Sequence, residues 1–314
     1  MRGRRFICVA LVLPLAWAPL PAAGQAGRPP SENVTVTGTR SREVLQGFVG
    51  SLAAPTRLTG KMARWASGIC PVTVGIRPEF VKFINRRLRE VAAQVGAPVN
   101  DSASCRPNIE IVFTTTPQDL IDNVRKKEPV YLGYYDNQEQ QEKLATVSHL
   151  VQAWYTTATR DVQGGLLVDN AKPGGLINRM EFPCDPLFCT SGAIELYPPR
   201  VVSTTGLRLG DGLRSEFYNV IIVADPTKML NYEMGELSDY IAMLALTQIT
   251  SQDTCQALPS ITNLLAENCG TKSGGLTEND IAFLRGLYKM SPAMMLGTQK
   301  DEVSYQMEQA LKDH

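Results

Sequence analysis

Glu233, Glu236 and Asp239 recur at three-residue steps, a spacing that drifts only slowly around a helix. Carboxylates so arranged can run general acid–base chemistry or glycoside hydrolysis. Acids in a first helical turn also interact favourably with the helix dipole, by about 0.3–1 kcal/mol each, with no catalysis implied. Glu236 and Asp239 are therefore the candidate catalytic pair, with structural capping as the competing reading. Histidine is scarce: the chain holds 2, His149 and His314. A catalytic zinc site draws on several histidines, commonly as His-Glu-x-x-His on one helix, and that motif is missing. A hydroxyl or thiol nucleophile would have to recruit His149, which adjoins Ser148 but has no Gly-x-Ser-x-Gly turn to serve. Its apolar neighbours Leu150, Val151 and Trp154 favour a partly exposed residue at a strand edge. Ser-x-x-Lys, the phosphate-cradling Gly-x-x-x-x-Gly-Lys-Ser/Thr and Gly-x-Gly-x-x-Gly are all absent. Neither a metal nor an organic cofactor is expected.

The 7 cysteines depend on the compartment for their meaning. Residues 1–24 read as a secretory signal: Arg2, Arg4 and Arg5, then an apolar stretch broken by Pro14 and Pro19, then Ala22, Ala23 and Gly24. The expected location is periplasmic or secreted. Removing the leader removes Cys8 and leaves Cys70, Cys105, Cys184, Cys189, Cys255 and Cys269, an even set in an oxidising compartment. Sequence-neighbour pairing predicts Cys70–Cys105, Cys184–Cys189 and Cys255–Cys269. Cys184-x4-Cys189 has no second cysteine pair or histidine at ligand spacing, which argues against a metal there.

Lys and Arg total 31 against 31 Asp and Glu. The leader takes three arginines and no acid, so the remainder is slightly acidic, unsuited to nucleic acid. After the leader, no segment reaches membrane-spanning length.

The elements that must position these groups follow from hydrophobic period. Residues 25–41 form an arm, with a possible edge strand at 34–40. Residues 42–52 and 79–95 are amphipathic helices, the second with Phe80, Phe83, Ile84, Leu88, Val91 and Val95 inward and Arg86, Arg87, Arg89 and Glu90 wet. Strands at 71–76 and 108–114 flank that helix, which implies a parallel crossover. Helices at 117–127 and 138–147 precede a strand at 151–157. Residues 164–213, rich in Gly and Pro, read as an excursion carrying a hairpin strand at 193–196. A buried strand at 217–224 leads into a helix to about residue 249, opened by Asp225-Pro226 and restarting near Gly235. Thr277 opens a capped helix, and Thr298 opens the last one. The expected fold is a single α+β domain over 42–314, a mixed sheet packed with helices and stabilised by disulfides. A chain of that length buries roughly 75% of its unfolded surface, so the bridges reinforce a sufficient core.

Gly235-Glu-Leu-Ser-Asp-Tyr-Ile-Ala-Met243, Leu258-Pro-Ser-Ile-Thr-Asn-Leu264, and Leu276-Thr-x-x-Asp-Ile281 running to Leu287-Tyr288 resemble an uncharacterised family of exported proteins from Gram-negative bacteria, a domain of unknown function. Arg64-Trp65 to Cys70-Pro71 and Cys105-Arg-Pro-Asn-Ile-Glu-Ile are similar to its N-terminal half. More distantly, the order of elements resembles the zincin metallopeptidases, whose closing helix often begins Leu-Thr-x-x-Asp-Ile. Aligned on Glu236, Gly235 and Asp239 stand where that family places histidine ligands, which implies zincin-like order without the metal. The expected role is non-catalytic binding of a protein or envelope component, with 164–213 as the contact region. The alternative is a metal-independent hydrolase using Glu236 and Asp239.

Overall fold

A computed structural model describes residues 42–170, 178–183, 192–197, 212–270 and 272–312. The expected leader, the arm at 25–41 and the Cys184–Cys189 bridge lie outside these residues. Helix α1 (Arg42–Leu52) has the expected bounds and buries Leu45, Phe48, Val49 and Leu52. Strand β1 (Pro71–Val74) ends at Gly75, whose φ of 91° only glycine adopts freely. A Cβ there would stand 1.9 Å from the Phe113 carbonyl oxygen, so the chain turns out of the strand against bare backbone.

Helix α2 (Pro78–Val95) begins on a proline and stops at Gly96 in the left-handed conformation. Its buried stripe is Ile84, Leu88, Val91, Ala92 and Val95, while Phe80 and Phe83 are only half-buried. Strand β2 (Ile109–Phe113) pairs in parallel with β1, Pro71 opposite Ile109. The Cys70–Cys105 disulfide ties the approaches to these two strands.

Helix α3 (Pro117–Lys127) matches expectation, whereas α4 (Gln138–Leu144) stops three residues short of 147. The Gln118 side chain accounts for the stop: its amide donates to the Ala145 carbonyl and accepts the Val147 N–H. Strand β3 (Val151–Arg160) outruns its expected end because it pairs on both sides, with β4 (Leu166–Val168) and with a later strand. Strands β5 (Asn178–Glu181) and β6 (Ala193–Leu196) form a separate antiparallel pair. Strand β7 (Arg214–Ala224) lies between β2, to which it is parallel, and β3, to which it is antiparallel. The sheet is thus mixed, in the order β1-β2-β7-β3-β4.

The helix expected after β7 does restart near Gly235, and its first piece is only a short turn. Asp225 caps a 3₁₀ turn, Pro226–Lys228, and helix α5 (Met234–Leu246) starts separately behind Glu233. Helix α6 (Glu278–Lys289) carries the predicted box between Thr277 and Asp280. Helix α7 (Leu296–Lys312) begins two residues before Thr298, which is therefore not its cap. The Cys255–Cys269 disulfide closes the connection between α5 and α6.

The sheet separates two cores. On one face Trp65, Ile84, Leu88, Tyr240, Phe283 and their neighbours bury α1, α2, α5, α6 and α7 against Ile109, Ile111, Val220 and Ile222. On the other, α3, a 3₁₀ turn (Pro129–Leu132) and the β5–β6 pair cover Val112, Trp154, Ile221 and Val223. Helix α5 is buried nearly all round, so its last carbonyls need protein donors. Tyr155 donates to Leu244 at 2.9 Å, the Trp65 indole to Ala245 at 2.8 Å, and Tyr288 to Leu246 at 3.0 Å. Arg64 does the same for the end of α6, donating to the carbonyls of Tyr288 and Met290. Among the described residues no helix is long and apolar enough to cross a membrane.

Candidate functional site

The two helix carboxylates of α5 are held by structural partners. Asp239 accepts two hydrogen bonds from Arg87, Nε to Oδ1 at 2.5 Å and the second nitrogen to Oδ2 at 3.1 Å. It also accepts the Leu276 N–H at 3.0 Å, beside Gly275, where a Cβ would come within 3.0 Å of Oδ2. Arg87 was expected in water with the rest of its helix face. It instead crosses to α5, and the bond to Asp239 raises its pKa. Glu236 turns back to the Glu233 N–H at 3.4 Å, completing the cap of α5. Among the described residues no group of three or more His, Cys, Asp or Glu is placed to hold a metal ion.

His149 and Ser148 precede β3, and His149 lines a cleft of about 610 Å³ between β3 and the segment after α5. The Ser148 hydroxyl lies 2.9 Å from His149 Nδ1, and His149 Nε2 lies 3.0 Å from Asp253. The letters are those of a hydrolytic triad, but the setting is different. Asp253 is 81% exposed, where an orienting carboxylate needs burial, and Ser148 is not part of the cleft wall. The N–H groups of Ser148 and His149 both donate to Gln152 Oε1, so they are not free to stabilise an oxyanion. This constellation closes a loop onto β3.

A second cavity, of about 570 Å³, opens on the other face of the sheet, near the N-terminal end of β2. Its buried wall carries Glu110 and Asn219. Glu110 is the one ionisable residue in the apolar strand β2, and 1% of it is exposed. Register explains its neighbour. A bulge in β7 sets Thr156 opposite Asn219 but Thr157 opposite Phe217. Phe217 thereby packs into the first core, and the consecutive Tyr218 and Asn219 both project from the second face. Bulges recur where a strand re-aims side chains at a site.

Asn219 Nδ2 donates to Glu110 Oε2 at 2.7 Å, while Asn219 Oδ1, also buried, has no partner among the described residues. Desolvation pushes the Glu110 pKa up to about 8, against the opposing pull of the Asn219 bond and of Arg106. Around the opening stand Tyr131, whose hydroxyl donates to the Tyr197 carbonyl, and Arg106, whose guanidinium lies 4.1 Å from the Tyr197 ring centroid. Arg160 grips Glu216 through two hydrogen bonds, which neutralises the other carboxylate of the wall. Gly164, Leu166 and Tyr197 belong to the 164–213 excursion, so that segment supplies part of the cavity.

Sequence reading did not single out Glu110, Asn219, Arg106 or Tyr197. One signal was present in Ile-Glu-Ile-Val-Phe, where a carboxylate interrupts a strand apolar enough to be covered on both faces. Nothing comparable marked Asn219, whose placement depends on a bulge. No family model matches the chain, and no curated protein or solved structure does either.

Proposed function

We propose that the chain is an exported, non-catalytic binding protein on a zincin-like scaffold without a metal, and that its binding site is the Glu110–Asn219 cavity. The observation that carries this reading is a desolvated carboxyl beside an unpartnered carboxamide oxygen in a cavity of ligand size. The excursion at 164–213 contributes to the wall, which suits a segment whose length exceeds what a connection needs. Two disulfides support export to an oxidising compartment. The succession β1, α2, β2, antiparallel β3, then β7 running into buried α5 supports zincin-like order. The hydrolase alternative gains nothing from the geometry, because Glu236 and Asp239 satisfy backbone amides and Arg87.

Site-specific photo-cross-linking tests the site. A benzoylphenylalanine at position 197, on the cavity wall, should capture an envelope component in the exporting cell. The same group at Tyr305, an exposed residue of α7, should not. Equal capture from both positions, or none from 197, rejects the cavity as the binding site.

A further inference from the structure

We infer that the cavity takes the ammonium group of a primary amine carried on an apolar stem, with Glu110 and Asn219 Oδ1 as its acceptors. This rests on the cavity being the binding site, and it adds the chemistry of the ligand. Four observations lead to it. Among the described residues the cavity wall offers two buried acceptors: a carboxyl in a residue 1% exposed, and an amide oxygen without a hydrogen bond in a residue 4% exposed. A water could satisfy the amide oxygen, but it brings no charge to draw the carboxyl into its ionised form. An ammonium brings three donors and a positive charge to the same place. A metal cation fits poorly, since hard cations take several oxygen ligands and no acid cluster accompanies Glu110 among the described residues. The wall also carries Tyr131, Tyr197 and Tyr218, whose rings suit the stem and the cation alike.

The charges facing Glu110 set how binding couples to protons. Arg106 comes from the segment before β2 and is exposed, so solvent screens it. Arg160 of β3 and Glu216 of β7 neutralise each other. Tyr131, Tyr197 and Tyr218 complete the set, and the phenols of Tyr131 and Tyr197 have raised pKa values through burial, which keeps them neutral. Below about pH 8 the free protein holds Glu110 as the neutral acid. An arriving ammonium favours the carboxylate, so one proton leaves Glu110 for solvent as the ion pair forms, and the amine keeps its own.

Isothermal titration of the whole chain, with phenethylamine and n-butylamine against 2-phenylethanol and n-butanol, tests this. Each amine should bind at least about tenfold more tightly than its alcohol. At about pH 7 the binding enthalpy should vary with the ionisation enthalpy of the buffer, reporting release of a substantial fraction of one proton, and the release should shrink toward zero at about pH 9, where Glu110 is already ionised and the amines are still mostly protonated. Glu110→Gln should remove both the preference for amine and the proton release. The buffer series uses the unaltered protein, so it decides the matter even if the variant folds poorly. Equal binding of amine and alcohol, or amine binding without proton release, overturns the inference. Binding of the alcohols alone would sink the ammonium and leave the cavity standing as a site. Absence of binding by all four probes, together with no cross-link from position 197, would remove both.

Discussion

Asp239 and Glu110 are both buried carboxylates, and their partners separate them. Asp239 meets a guanidinium and a backbone N–H, whereas Glu110 meets one carboxamide. Removing charge should therefore act in opposite directions. Asp239→Asn leaves Arg87 with only the more distant Glu90 as counter-charge and should cost about 2 kcal/mol of stability in urea denaturation. Glu110→Gln should relieve a strain that depends on pH. Below the ordinary glutamate range both folded and unfolded chains hold the Glu110 proton, so nothing is lost. Between that range and about pH 8 only the folded chain retains it, so stability falls as pH rises, then levels off. Asp280 and Asp169, also raised by burial, add slopes of the same sign in their own windows. The informative quantity is thus the difference between wild type and Glu110→Gln. That difference should grow in favour of the variant from about pH 5 to about pH 8. Parallel melting-temperature profiles would show that Glu110 ionises normally in the folded chain.

Among the elements, α5 shows most clearly which features local pattern can reveal. Its apolar residues recur all round the helix, which marks it as internal, and the acids at its start mark an N-terminus. At its C-terminal end the Thr247 N–H closes on Met243, and the following carbonyls are met from afar by Tyr155, Trp65 and Tyr288. Tyr288→Phe keeps the ring and orphans the Leu246 carbonyl, so a loss of about 1–3 kcal/mol is expected in denaturant titration. An unchanged midpoint would mean that another donor replaces the hydroxyl. The β1–α2 turn makes a steric demand instead. Gly75→Ala drives a Cβ into the Phe113 carbonyl and requires a strained φ, so the purified variant should melt well below wild type. Helices α1, α2, α3 and α6 were legible because periodicity, a leading proline or a capping box lies within each segment. The end of α4 and the start of α7 were not. The first depends on the Gln118 side chain, which arrives from another helix.

At the scale of the molecule, two cores share one sheet, and β2, β7 and α5 lie deepest within them. Amide exchange should accordingly be slowest in those three elements and faster in the β5–β6 pair, which hydrogen-bonds outside the main sheet. Equal protection of that pair would mean that it opens only when the whole domain does. The disulfides act at this scale too. Replacing Cys255 and Cys269 by alanine frees a loop of 14 residues' separation and should cost about 3 kcal/mol in the chain-entropy model. The amino-acid sequence alone determined the α+β class and the parallel β1–α2–β2 unit, and among the fifteen possible connectivities separation along the chain favoured the two described cysteine pairings. Only the tertiary structure decided that Asp239 faces Arg87 and that Glu110 faces Asn219. Both pairings join residues more than a hundred positions apart, and the second also needs a bulge. Local pattern can mark a buried charge as anomalous, but its partner is set by register and packing, which no segment encodes by itself.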